Sequence, residues 1–101
     1  MYLVGGIKMN ISFIQAINYI NTVNNHLLVL CETKEEKITQ YRLFCNTLKK
    51  LEDKMSKSEY ITTEELQEEF INKLINPLKL KDCIDYIKND YLQLINDNKA
   101  K

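Results

Sequence analysis

The chain of 101 residues is long enough for one compact core and too short for two. Its 45% hydrophobic and 28% charged residues sit near the globular average, which argues against a disordered tail and against a membrane protein. Fourteen basic residues offset fourteen acidic ones, so no net field draws the molecule to nucleic acid, anionic lipid or acidic substrates, and only local patches are left to do so.

Both glycines, Gly5 and Gly6, lie in Gly5-Gly6-Ile7-Lys8-Met9. Back-translated, that segment can carry a GGAGG-like purine run just ahead of the Met9 codon, where a bacterial ribosome-binding sequence would stand. Residues 1–8 therefore read as translated leader before a native start at Met9, or else as a real arm in which Tyr2, Leu3 and Val4 cover a sheet edge or groove. The coding DNA separates the two. If the purine run is there, the source is a bacterium or its phage; thirteen lysines against one arginine, with eleven asparagines and twelve isoleucines, point to A/T-rich codons. Three cysteines at wide spacing, an odd number, fit free thiols in a reducing cytoplasm better than a disulfide framework.

From Met9 onward there is no glycine and a single proline, which disfavours a many-stranded sheet. Helix-start signals recur instead. Ser12 with Gln15, Thr33 with Glu36 and Thr62 with Glu65 have capping-box spacing, and Ile61 with Leu66 adds a hydrophobic staple to the third. Asn76-Pro77 supplies a fourth start. Apolar residues step by three and four after each: Phe13, Ala16, Ile20, Val23, Leu27 and Leu30; then Tyr41, Phe44, Leu48, Leu51 and Met55 with Ile38 and Cys45 alongside; then Leu66, Phe70 and Leu74 with Ile71 and Ile75; then Leu80, Ile84, Ile87, Tyr91 and Leu94. Four amphipathic stripes predict an all-α, four-helix bundle-like domain over residues 9–98, with a tail at 99–101 and helices near 12–31, 34–57, 63–75 and 77–96. The long second helix is expected to pack against the first and fourth. The run His26 to Cys31 is consecutively apolar and reads as helix or as a short strand; as a strand it would pair with Tyr2 to Met9 in an N-terminal β-ribbon.

Met9 to Cys31 contains no Asp, Glu, Lys or Arg, although a solvent-facing helix normally carries charge opposite its core stripe. Asn18, Tyr19, Asn21, Thr22 and Asn25 thus form a candidate face for a protein partner or for self-association, weighed against a central helix buried within its own domain. Asparagine also costs about half a kcal/mol or more in a helix interior relative to alanine, so this helix needs tertiary or partner contacts. Lys49, Lys50, Lys54 and Lys57 form a basic stripe, the basis of an alternative reading as a DNA-binding regulator; a lone arginine, Arg42, and the acidic run Glu59, Glu64, Glu65, Glu68 and Glu69 that follows weaken it. That acidic run reads as a capping face of the third helix. His26 is the only histidine, and His26 with Cys31, Cys45 and Cys83 lacks the spacing of a zinc site or of a catalytic pair. Neither enzymatic activity nor a cofactor, metal, membrane or small-molecule substrate is expected. The expected role is a small cytoplasmic adaptor, regulator or inhibitor that binds protein, itself included.

Overall fold

The structure, a computed structural model, describes residues 9–76 and 80–99. It is an all-α, bundle-like domain with one short antiparallel ribbon. Residues 1–8, and with them the leader or arm, lie outside the described residues, as does the Pro77 helix start.

Strand β1 (Asn10–Ser12) enters helix α1 (Phe13–Leu30) directly. Its last residue, Ser12, is the N-cap: the hydroxyl accepts from the Gln15 N–H at 3.2 Å while the Gln15 side chain accepts from the Ser12 N–H at 3.1 Å. Both are donors that a helix start would otherwise leave unpaired. Helix α2 (Lys34–Met55) follows after residues 31–33, with Thr33 accepting from the Glu36 N–H at 3.1 Å. Strand β2 (Tyr60–Thr62) then repeats the first device, since Thr62 both ends the strand and caps helix α3, accepting from the Glu65 N–H at 3.1 Å. The last helix, α4, is Leu80–Lys99.

The expected ribbon partners are corrected. β1 pairs with β2, Ile11 opposite Ile61, and both side chains are buried. Two strands alone are marginal, but this pair is anchored in the core and by Met9, whose N–H donates to the Thr63 hydroxyl at 3.1 Å and whose carbonyl accepts from the Thr63 N–H at 2.8 Å. The run His26 to Leu30 is helical, with Leu27 buried and Val29 facing out; Cys31 ends the helix in extended backbone, its N–H donating to the Leu28 carbonyl at 3.1 Å.

Helix α3, residues 63–74, is α-helical at Thr63–Glu65, π-helical at Leu66–Ile71 and α-helical again at Asn72–Leu74. In the wider turn the Asn72 N–H reaches the Gln67 carbonyl, five residues back. That spacing lets Leu66, Gln67, Phe70 and Ile71 all turn inward.

α1 is the central element, packing against α2, α3, α4 and both strands. α2 packs against α1 and α3, while α4 packs chiefly against α1, so the expected pairing of the second helix with the fourth is replaced by pairing with the third. The core joins Ile20, Val23 and Leu27 to Leu51, Phe70, Leu74, Ile87, Tyr91 and Ile95. Each such side chain contributes roughly 1.5–3 kcal/mol by leaving water.

Candidate functional site

The buried side of α1 is formed by Phe13, Ala16, Tyr19, Ile20, Val23, Asn24 and Leu27. Opposite it, at helical spacing, run Ile14, Asn18, Asn21, Thr22, Asn25 and Val29, all exposed. Ile14 and Val29, at the two ends, are 72% and 80% exposed. The middle is polar but uncharged, and the Thr22 hydroxyl donates to the Asn18 carbonyl at 2.9 Å. Asn18, Asn21, Thr22 and Asn25 are therefore brought to one surface, as the sequence reading placed them.

Tyr19 is not on it. Only 5% exposed, it lies among the core residues and its hydroxyl accepts from Gln67 Nε2 at 2.6 Å. Tyr19 neighbours Asn18 in sequence but falls a hundred-degree step around the helix, beside Ala16 and Val23. Burial pushes the Tyr19 phenol well above its ordinary value of 10.0, with Asp90 and Tyr91 adding to the rise and the Gln67 hydrogen bond opposing it. A raised folded-state value means that stability is fully present below pH 10.0 and is lost as pH rises further, because the unfolded chain ionises first. Urea midpoints followed through the alkaline range should fall more steeply for the wild type than for Tyr19→Phe, by about 1.4 kcal/mol per pH unit. Equal slopes would place the phenol in water. Gln67 Oε1 is buried and has no hydrogen-bond partner among the described residues.

A second exposed stripe, expected in the core, runs along α2. Ile38 (49%), Tyr41 (54%) and Met55 (41%) are exposed, as is Cys45, and Leu48 is half-buried beside them. The helix buries the line Gln40, Thr47 and Leu51 instead. Its polar members are satisfied: Gln40 Nε2 donates to Asn24 Oδ1 and to the Leu74 carbonyl, each at 3.0 Å, and the Thr47 hydroxyl donates to the Leu43 carbonyl at 2.8 Å. These bonds remove most of the cost of burying an amide and a hydroxyl. They leave Ile38, Tyr41, Cys45 and Met55 outside.

The four lysines do not form a free stripe. Lys54 Nζ lies 2.6 Å from Glu65 Oε2, a contact that raises its pKa, chiefly through the hydrogen bond itself. Lys50 Nζ donates to the Glu69 carbonyl at 3.3 Å and sits 5.7 Å from the centre of the Phe70 ring. Both are turned to α3, while Lys49 and Lys57 are exposed. His26 Nδ1 donates to Asp90 Oδ2 at 2.7 Å, tying α1 to α4. Cys31 is half-buried, Cys45 exposed and Cys83 buried, and no disulfide joins them. Among the described residues no group of three or more His, Cys, Asp and Glu could hold a metal ion, and no helix is long and apolar enough to cross a membrane.

The arrangement does offer an uncharged face on α1 and, beside it on α2, an exposed stripe of Ile38, Tyr41 and Cys45 between Lys34 and Glu52. Comparison with family models, curated proteins and solved structures finds no match to this chain.

Proposed function

We propose that the protein is a small non-catalytic protein-binding module, of adaptor, regulator or inhibitor type, that acts through the outward face of α1. The observation that carries this reading is the uncharged stripe Ile14, Asn18, Asn21, Thr22, Asn25 and Val29, exposed along the central helix of a chain that is 28% charged as a whole. A face meant for water gains solubility from Lys and Glu; a face meant for protein loses affinity for every charge it must desolvate. Asparagine and threonine donate and accept, so they meet a polar partner surface without a net charge to strip of water. Three cysteines outside any disulfide, one of them exposed, support a cytoplasmic, reducing setting.

The test is the triple variant Asn18→Glu, Asn21→Glu and Asn25→Glu. All three side chains point away from the core, so the helical circular dichroism should be unchanged. Association, read by size exclusion and by pull-down with the tagged chain, should weaken by at least about a hundredfold, because like charges set into an interface cost several kcal/mol. Undiminished association would remove the assignment. The rival DNA-binding reading requires affinity that falls steeply with salt and with loss of Lys50 and Lys54, and a blank gel shift at low salt would dispose of it.

A further inference from the structure

We propose that the occupant of this face is a second copy of the same chain, docked face to face across a two-fold axis that passes between Asn21 and Thr22 of α1 and near Leu43 of α2. The inference rests on the reading that the face binds protein and names the partner.

Three observations lead to it. The first is that the outward residues of α1 and α2 lie on one side of the hairpin. The hydrogen bond between Gln40 and Asn24 fixes the flank by which each helix meets the other. With 3.6 residues per turn, Asn18, Asn21 and Asn25 on α1 and Ile38, Tyr41 and Cys45 on α2 then face the same way. The outward line of α2 is Lys34, Ile38, Tyr41, Cys45, Leu48, Glu52 and Met55, alternating steps of four and three. That is the spacing of a helix seam, here left largely exposed instead of buried in its own domain.

The second is that both stripes are palindromic in chemistry. About the point between Asn21 and Thr22, Ile14 mirrors Val29 and Asn18 mirrors Asn25. About Leu43, Lys34 mirrors Glu52, Ile38 mirrors Leu48 and Tyr41 mirrors Cys45, while Met55 at the end of the line has no mirror position within α2. In an isologous interface each residue meets its mirror position in the other copy. Apolar groups therefore meet apolar groups, amides meet amides that can both donate and accept, and the two charged positions meet with opposite sign.

The third is that one axis serves both helices. The same hydrogen bond brings Asn24 beside Gln40, and counting along the antiparallel helices from there brings Leu43 near Asn21. The two centres of symmetry thus fall within about one helical turn of 5.4 Å. An axis through both lays α1 over α1 and α2 over α2, each pair antiparallel. Helices of 18 and 22 residues are about 27 and 33 Å long and sit about 8–10 Å apart. Their shared face covers roughly 500 Å² per copy, so about 1,000 Å² in all, the lower bound for a specific interface and the size of a reversible one.

The experiment is sedimentation of the full chain over a dilution series, with a charge-reversal cycle at the mirrored pair. The wild type should sediment at twice its 12.0 kDa at high concentration. Lys34→Glu and Glu52→Lys should each raise the dimer dissociation constant roughly tenfold, since each variant sets two like-charged pairs across the axis. The combined Lys34→Glu, Glu52→Lys variant should return it to the wild-type value. A single 12.0 kDa species at every concentration would overturn the second copy as occupant and leave the protein-binding reading to its own pull-down. A dimer that the α1 triple variant dissociates, but that ignores both charge reversals, would overturn the two-fold register while the α1 face stands. A dimer indifferent to both sets of variants would overturn the register and the α1 reading together.

Discussion

Replacing Gln40 with leucine should destabilise the fold by about 2–4 kcal/mol, although the substitution is close in volume and makes the site more apolar. Gln40 is 2% exposed, and its amide joins α2 to α1 through Asn24 and to the end of α3 through the Leu74 carbonyl. Leucine leaves both acceptors buried without that donor, and each such loss costs about 1–3 kcal/mol. The Gln40→Leu, Asn24→Leu double variant removes one of the stranded acceptors together with its donor, so it should recover about half of the loss. The coupling in the resulting double-mutant cycle, read from urea unfolding, should exceed about 0.5 kcal/mol. A harmless Gln40→Leu, or additive effects, would mean that the three helices are held at this junction by apolar packing alone.

Phe70→Ala should cost more, about 3–5 kcal/mol, a large part of the roughly 5–15 kcal/mol that stabilises a domain of this size. The ring is 1% exposed, sits in the π-helical stretch of α3 and joins the core cluster with Leu51 and Leu74. Truncation loses the transfer of the ring from water and leaves a cavity that the neighbours fill only in part. Lys50 rests near the ring face, but at an exposed position this cation contributes about 0.5–1 kcal/mol, so Lys50→Met should be nearly silent where Phe70→Ala is severe. Thermal and urea unfolding of the two variants separate the terms. Comparable effects from both would assign the stability of α3 to its surface and not to its core.

What the sequence revealed clearly was what local chemistry decides. Ser12 with Gln15, Thr33 with Glu36 and Thr62 with Glu65 cap helices because every partner lies within one turn, and a reader of the chain needs nothing else. The stripes of α1 and α4 were equally plain, with Ala16, Ile20, Val23 and Leu27 in one and Ile87, Tyr91 and Leu94 in the other all buried as spaced. Helix α2 was misread because it carries two stripes that compete. Periodicity favours Ile38, Tyr41 and Cys45, yet the chain buries Gln40 and Thr47. The decisive partners of Gln40 are 16 and 34 residues away, and no local pattern announces them. The ribbon failed for the same reason, since Ile11 finds Ile61 across 50 residues of sequence. Adjacency misled at Tyr19, which is buried, whereas the charge-depleted stretch does bring Asn18, Asn21, Thr22 and Asn25 to one exposed surface. The exposed apolar ends, Ile14 and Val29, could have been found by extending that stripe one turn in each direction.

The claim on which the full account depends is that the uncharged flank of α1 meets a second copy of the chain and not water. Amide and side-chain resonances of the isotope-labelled chain, recorded over a dilution series, test it most directly. Signals from Ile14, Asn18, Asn21, Asn25 and Val29 should move with concentration, while those from Asp85, Asn89, Gln93 and Asn96, exposed on α4, should hold still. Resonances that stay fixed throughout, with the tumbling rate of a lone 12.0 kDa chain, would contradict it.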